Sequence, residues 1–282
     1  MLTFLAPAKI NWALSVIRKR NDGYHDILSL IQGINLYDYL TFEEADNIEI
    51  QTNFPIRMEN NLVYKAIIAL QKYAGIKRGI KVILKKEIPV GGGLGGGSSD
   101  AAITLKALNE LWQLNLSLEN LIQIGASIGS DIPFFLNLPI CIIEGRGEIV
   151  KPIKIDKTYT LLLVKPSFGI STKWAYESLN LKTQLTENYE KINNNIWQLY
   201  EKLKKGDIEN LYLWNDLEIV VSNQYTEIEM IKKRLLKAGA KVSLMSGSGA
   251  TVFGVFNDEK EANEASVLFK GYWVKVVKTL IS

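Results

Sequence analysis

Apolar and polar positions along the chain change period several times, and each change marks an element. Residues 2–5 and 11–17 alternate as strand, with Ala6-Pro7-Ala8-Lys9 interrupting them, and residues 28–42 and 48–51 read as further strands. Between 62 and 74 the spacing becomes helical, with Leu62, Ala66, Ala69, Leu70 and Tyr73 on the predicted inner face. Residues 80–87 alternate again, Val82 and Leu84 facing one way between Lys81 and Lys85. A run with almost nothing to bury follows, Pro89-Val90-Gly91-Gly92-Gly93-Leu94-Gly95-Gly96-Gly97-Ser98-Ser99. Helical spacing resumes over 101–111, which places Ser98 or Ser99 to cap that helix. A helix over 117–128 ends at Gly129, Asp131 lies in the next turn, and Pro133 suits the start of a short helix. Residues 140–143 and 148–151 predict a hairpin about Gly145-Arg146-Gly147.

The pattern restarts after residues 152–158. A buried strand over 160–164 leads into helical material from 172 to 217. A helix over 224–238, strands over 242–245 and 251–256, a helix over 259–269 and a strand over 272–278 complete the chain. With the inserted helices set aside, the order is β-α-β-β-α-β, the split ferredoxin-like plan. The expected class is therefore α+β in two domains, residues 1–153 with mixed sheet and helices and residues 154–282 ferredoxin-like.

Composition narrows the function classes. The 282 residues are 47% hydrophobic and 22% charged, an ordinary globular balance. A net charge of +3, with Lys and Arg evenly spread, argues against a nucleic-acid partner. The clusters Lys202-Lys204-Lys205 and Lys232-Lys233-Arg234 read as solvated helix faces. Cys141, the single cysteine, lies in an apolar run and reads as a small buried hydrophobe of a reducing compartment. The single histidine, His25, cannot build a metal cluster. No apolar run reaches membrane-spanning length, and the start of the sequence lacks the design of a signal peptide. A cytoplasmic protein is expected, with no membrane and no obligate protein partner.

The glycine run carries the first candidate chemistry. Glycine permits backbone conformations that other residues avoid and lets the chain approach a ligand closely. A glycine-rich turn opening onto a helix N-terminus presents unpaired N–H groups and the positive end of the helix dipole, which favours an anion such as phosphate. Gly91 through Gly96 satisfies the dinucleotide pattern only formally, because no second strand and ribose-binding acid follow. A Walker A loop is excluded by the missing Gly-Lys-Ser/Thr, and a protein-kinase loop by the missing His-Arg-Asp.

Several polar residues stand in costly places. Lys9 lies within an apolar strand, and Asn11, two residues on, shares its face. Taken alone, an outward-pointing edge lysine would account for Lys9, and an N-cap role would account for Asp131. Tyr24 and His25 follow the turn signature Asn21-Asp22-Gly23. A second glycine turn, Ser246-Gly247-Ser248-Gly249, separates two strands and is suited to line a polar ligand. These residues by themselves describe a phosphate-handling enzyme with two glycine-rich loops.

Three separated segments, Pro7-Ala8-Lys9-Ile10-Asn11, Pro89 through Ser99 and Ser246-Gly247-Ser248-Gly249-Ala250, together resemble the three motifs of the GHMP kinases. That superfamily includes galactokinase, homoserine kinase and mevalonate kinase. Arg20-Asn21-Asp22-Gly23-Tyr24-His25-Asp26-Ile27, Gly129-Ser130-Asp131-Ile132-Pro133-Phe134-Phe135 and Gly145-Arg146-Gly147-Glu148 are similar to the branch that phosphorylates 4-diphosphocytidyl-2-C-methyl-D-erythritol. One departure is Gly92, where the family often carries alanine; the backbone donor is kept. The resemblance implies ATP-dependent phosphorylation of that acceptor's 2-hydroxyl in the non-mevalonate route to isoprenoids, with Mg²⁺ on the ATP phosphates, and a left-handed β-α-β crossover. It implies Asp131 as base, with Lys9 beside it and the attacking oxygen. It implies that the backbone of Pro89, Gly91, Gly92, Gly93, Leu94, Gly95, Gly96, Gly97, Ser98 and Ser99 holds ATP, with Asn61 and Lys65 near adenine or ribose. Asn11 would bind the acceptor near its reacting end, and Gly247 and Ser248 of the third motif would also bind substrate. Tyr24 and Tyr176 would flank cytosine, and His25 would bind its edge.

A homoserine or mevalonate kinase is the nearest rival, and Gly23-Tyr24-His25 speaks against it, since those acceptors carry no base. A nucleotide-dependent oxidoreductase lacks its second strand and acid. An RNA-binding module lacks a basic-aromatic stripe.

Overall fold

The first strand, β1 (Leu2–Lys19), runs without a break through Ala6-Pro7-Ala8-Lys9, where an interruption is predicted. Proline's fixed φ lies in the extended region, so its ring alone does not end a strand. A tight turn with Gly23 at φ +85° leads into β2 (His25–Glu43). Then follow β3 (Ile48–Thr52), α1 (Leu62–Ala74), β4 (Ile80–Lys85), α2 (Gly96–Leu111), α3 (Leu118–Ile128), α4 (Ile132–Leu136), β5 (Ile140–Glu144) and β6 (Ile149–Pro152). The later half contains β7 (Thr160–Lys165), α5 (Thr172–Glu177), α6 (Tyr189–Lys205), β8 (Trp214–Asn215), α7 (Asp216–Gln224) and α8 (Thr226–Lys237). It closes with β9 (Val242–Met245), β10 (Val252–Phe256), α9 (Glu259–Ser266) and β11 (Trp273–Lys278). The structure is a computed structural model that describes residues 2–179 and 189–282.

Two units emerge, each assembled from separated stretches. One contains Met1–Ala8, Leu36–Val90 and Gly95–Leu138; the other contains Lys9–Asn35, Gly91–Leu94 and Pro139–Ser282.

In the first unit β3 and β4 are parallel, in register from Ile48 opposite Ile80 to Thr52 opposite Leu84, and α1 makes the crossover between them. Residues 39–43 of β2 pair antiparallel with β4. The buried face of α1 is Val63, Ala66, Ile67 and Leu70. Tyr73, predicted inward, is 44% exposed, and its hydroxyl accepts a hydrogen bond from Asn120 Nδ2 at 2.7 Å. A phenol near a helix end can satisfy its oxygen at the rim, and the buried stripe keeps Ala66 and Leu70 but takes Val63, Ile67 and Gln71 as its other members. Helix α2 packs on α1, α3 and α4 through small residues such as Ala101 and Ala102. Gln113 and Asn115, both at positive φ, turn the chain between α2 and α3, the two helices predicted over 101–111 and 117–128. The start of α3 is a capping box of Ser117 and Asn120, and it ends at Gly129.

In the second unit residues 29–32 of β2 pair with β5, which forms the predicted hairpin with β6. Strand β8 pairs in parallel with β1 at Ala13 and Leu14. A separate four-stranded sheet has the order β11-β7-β10-β9, every pair antiparallel, which is the predicted split ferredoxin-like plan. The helical stretch predicted over 172–217 is α5, α6 and the start of α7, with β8 interposed; residues 180–188 of it lie outside the described residues. Trp12 anchors the core of this unit, edge-on to Tyr159 at 5.4 Å and to Phe253 at 5.8 Å between ring centroids. Its indole N–H donates to Gln32 at 2.7 Å, which removes the cost of a buried donor. Cys141 is buried, and burial pushes its thiol up to about 12, so the residue is the inert hydrophobe predicted.

Candidate active site

The glycine run enters through residues in the left-handed region, Gly91 at φ +67°, Gly93 at +72° and Gly95 at +73°. Within the second unit, segment Gly91–Leu94 lies against the second glycine turn. The Gly91 carbonyl accepts from Ala250 N at 3.4 Å, the Gly92 carbonyl from Thr251 N at 3.2 Å, and the Gly93 carbonyl from Ser246 Oγ at 3.1 Å. The Leu94 carbonyl accepts from Lys9 N at 3.0 Å. A Cβ on Gly93 would stand 2.1 Å from the Ser246 carbonyl oxygen, a distance that no side chain tolerates. The carbonyls of this segment are thus taken up by protein, which leaves its amides for a ligand. Three separated motifs meet here: Lys9, the glycine run and Ser246–Ala250.

At the far end of the run, in the first unit, the predicted serine cap is corrected. Gly95 is the N-cap of α2, in left-handed geometry and with no side-chain cap; Ser98 and Ser99 lie inside the helix. The first intrahelical bond of the turn is Ser99 N to the Gly95 carbonyl at 2.9 Å, so the amides of Gly96, Gly97 and Ser98 have no intrahelical acceptor. Glycine wins the position because it alone enters a helix from the left-handed region without strain. Absence of a capping side chain leaves the helix terminus open to an anion. Ser99 Oγ is buried without a hydrogen-bond partner, an orphan polar atom in the same turn. This donor set suits phosphate.

Asp131 also lies in the first unit. It occupies the N-cap position of α4, yet its side chain makes no cap hydrogen bond, which corrects the simple capping explanation. The residue is held at φ −84° and ψ −11°, inside the helical region, where the carboxylate does not reach back to the N3 amide. Gly129 at the head of this turn is within van der Waals range of α2: a Cβ there would be 4.0 Å from Ser98 Oγ. Asn61 caps α1, its side chain accepting from Val63 N at 2.9 Å. Its helix start is beside the first turn of α2, since a Cβ on Gly97 would be 3.5 Å from Leu62 Cδ1. Lys65 is exposed on α1.

In the second unit Lys9 and Asn11 are 4% and 2% exposed, on one face of β1 as the strand period requires. Lys9 Nζ donates to Asn11 Oδ1 at 2.5 Å, and Asn11 Nδ2 donates to Ser29 Oγ at 2.9 Å. Ser29 in turn donates to the Ala13 carbonyl at 2.6 Å, so the whole chain of donors is oriented from β1 and β2. Gly247, at φ +55°, faces this pair; a Cβ there would be 2.9 Å from Lys9 Nζ. Ser248 exchanges a hydrogen bond with Thr172 at 2.8 Å. Sequence reasoning missed Asn215, whose Nδ2 donates to the carbonyls of Met245 and Gly247 at 2.8 and 2.7 Å and pins the second glycine turn. Its only signal is a buried amide beside a two-residue strand.

The aromatic residues Tyr24, His25 and Tyr176 all lie in the second unit. Tyr176 stacks on His25, with centroids 5.1 Å apart and planes 27° from parallel. Tyr24 is 49% exposed and carries the Arg146 guanidinium 4.8 Å from its ring centroid. Burial, then the charge of Lys19, lowers the His25 pKa, so the imidazole is neutral at pH 7. Arg146 is a second residue that the sequence pattern places only in a turn. Glu148 Oε2 accepts from Arg146 N at 2.7 Å, and Ile27 N donates to the Gly145 carbonyl at 2.7 Å, fixing that turn to β2. A stack of a phenol on a neutral imidazole, with a tyrosine-bound guanidinium in the same unit, suits a planar heterocycle that also carries negative charge.

Comparison with known proteins accords with this geometry. The model of the GHMP kinases N terminal domain matches residues 61–137, and that of the GHMP kinases C terminal matches residues 199–268. A 4-diphosphocytidyl-2-C-methyl-D-erythritol kinase of Thermodesulfovibrio yellowstonii is 66% identical over 281 residues, covering 100% of this chain and 99% of the relative. A crystal structure of 4-(cytidine 5'-diphospho)-2C-methyl-D-erythritol kinase superposes with a TM-score of 0.82 at 30% identity, over 98% of this chain and 99% of that one. Homoserine kinase from Cytophaga hutchinsonii shares the fold, with a TM-score of 0.75 at 19% identity over 99% and 94% of the two chains.

Proposed function

Because the chain belongs to the 4-diphosphocytidyl-2-C-methyl-D-erythritol kinases, a family of GHMP kinases, we propose that it transfers the γ-phosphoryl of ATP to that acceptor's 2-hydroxyl. The products are ADP and the 2-phosphate, in the non-mevalonate route to isoprenoid precursors. The observation that carries the chemistry is an uncapped helix terminus at Gly96–Ser98 with the Asp131 turn packed beside it. An anion site and a carboxylate with no capping duty are the two parts that phosphoryl transfer to an alcohol requires.

The hydroxyl proton passes to the Asp131 carboxylate as the oxygen bonds phosphorus, and ADP leaves with the electrons of the broken bond. Lys9 balances negative charge on the reacting oxygens, and its hydrogen bond to Asn11 fixes its direction. Asn11 orients the acceptor. Amides of Gly91–Ser99 hold the ATP phosphates, and Asn61 and Lys65 border the nucleoside end. Tyr24, His25 and Tyr176 receive the cytosine, with Gly247 and Ser248 lining the acceptor. Among the described residues no group of three His, Cys, Asp or Glu side chains is placed to hold a metal. Mg²⁺ bound to the ATP phosphates, beside the amides of Gly91–Ser99, would supply neutralisation of their charge. Among the described residues no helix is long and apolar enough to cross a membrane, and we place the reaction in the cytoplasm.

The test is ADP release with Mg·ATP and, in turn, the cytidine-linked acceptor, mevalonate and homoserine. Turnover with the first alone is expected; turnover with either of the others instead overturns the acceptor assignment. Asp131→Asn is expected to lower kcat by about a thousandfold or more while ATP still binds. Turnover within tenfold of wild type removes Asp131 as the base.

A further inference from the structure

Both ends of the glycine run are fastened to one buried ammonium group, and none of the three residues involved has a part in the chemistry above. Lys86 follows β4. Its Nζ donates to Asp38 Oδ2 and, at 2.6 Å, to Asp100 Oδ2. Asp38 stands on β2 and is fully buried; its other oxygen accepts from Glu87 N at 2.6 Å and Ile88 N at 2.8 Å, the two residues just before Pro89. Asp100 is 2% exposed, one turn into α2. A Cβ on Gly96 would stand 2.9 Å from Ile88 Cγ2 and 3.2 Å from Asp38 Oδ2. The entry and the exit of the run therefore meet over a single ionic cluster.

Stability alone is a poor reason for such a cluster. Two carboxyl groups and one ammonium are held out of water, and well-packed apolar side chains of similar volume hold a fold at least as well. Asp100 Oδ1 is buried with no hydrogen-bond partner, and burial pushes this carboxyl up to about 7 against the pull of Lys86. The charged groups facing it are Lys86 and Asp38. The faces that α1, α3 and α4 bury hold no ionisable side chain. What directional ionic hydrogen bonds supply, and apolar contacts do not, is a fixed angle between the elements that they join. The run they close is the segment most in need of one, because glycine-rich backbone loses the most freedom on being ordered.

We propose that Asp38, Lys86 and Asp100 are positioning residues for the nucleotide, clamping the two ends of the glycine run so that the amides at the start of α2 are set before ATP arrives. The inference rests on the reading of that run as the phosphate site. Preorganised donors gain affinity by sparing the cost of ordering on binding. Loss of the clamp is therefore read in ATP binding and not in acceptor binding.

The experiment compares wild type, Lys86→Met, Lys86→Arg and Asp100→Asn by Mg·ATP titration and by steady-state KM for each substrate. Lys86→Met is expected to weaken ATP, in Kd and KM, by about tenfold or more, with the acceptor KM within about twofold. Lys86→Arg restores most of the loss. Asp100→Asn, whose amide oxygen still accepts from Lys86, weakens ATP by about threefold. A folded Lys86→Met protein with a lower Tm but wild-type affinity for ATP overturns the proposal and leaves the cluster structural. If Lys86→Met does not fold, Asp100→Asn decides: unaltered ATP Kd and KM overturn the proposal. Failure of the wild-type protein to bind Mg·ATP overturns the phosphate-site reading itself, a separate result from failure in the variants alone.

Discussion

The two glycine-rich turns look alike in sequence and do opposite work. Gly91–Gly95 alternates left-handed glycines and then opens onto α2, so that its backbone donors end unpaired at a helix terminus. Ser246–Gly249 joins β9 to β10, and Asn215 spans it by donating to the carbonyls of Met245 and Gly247. The first turn has no side chain of its own holding it from within. The second is a braced strut, against which Gly91, Gly92 and Gly93 lean with their carbonyls. Glycine content alone therefore does not make a phosphate loop. The element that follows the turn decides whether its amides remain available.

Substitutions at the two turns test that division of labour. Gly93→Ala should have the largest effect, because its Cβ would stand 2.1 Å from the Ser246 carbonyl and its φ is +72°. Neither backbone can yield without separating the turns. The expected outcome is ATP binding weakened by about a hundredfold or more, or loss of soluble folded protein, read by nucleotide titration and circular dichroism. Gly247→Ala comes next. Its Cβ meets Lys9 Nζ, a flexible chain end, at 2.9 Å and the Gly93 carbonyl at 3.0 Å, at φ +55°. We expect kcat to fall by about ten- to a hundredfold with the ATP KM changed far less, since the group displaced is Lys9. An equal loss in both parameters would show that the second turn, too, holds the nucleotide.

Asn215→Ala removes the brace without adding bulk. Two buried carbonyls lose their donor, which is expected to cost about 1–3 kcal/mol of stability and several-fold in kcat/KM, checked by thermal unfolding and kinetics. Gly92→Ala should matter least, within about twofold in the ATP KM, because Gly92 is not in the left-handed region and its carbonyl is the only group that the second turn uses. A loss as large as that of Gly93→Ala would mean that the approach of the two turns, and not the left-handed geometry, sets their tolerance.

Much of the architecture was legible from periodicity. The β-α-β-β-α-β order of the later half, the hairpin about Gly145-Arg146-Gly147 and the helix ending at Gly129 follow from local patterns whose physical causes are also local. Errors fall where a local rule met a competing one. Proline in β1 suggested an interruption, yet its φ suits an extended chain. Serine looked like the better helix cap than glycine, but the chain enters α2 from a left-handed residue, which only glycine occupies cheaply. Tyr73 fell on the apolar stripe but is exposed, and its hydroxyl meets Asn120 at the rim.

The sequence by itself determined the residue types at the site, their grouping into three motifs and the helix start that invites an anion, because each depends on neighbours within a few positions. Tertiary structure alone decided that Ser246 reaches Gly93, that Tyr176 stacks on His25 and that Lys86 ties Asp38 to Asp100. These partners belong to different elements, and no periodicity encodes a contact whose closure depends on how whole sheets and helices pack.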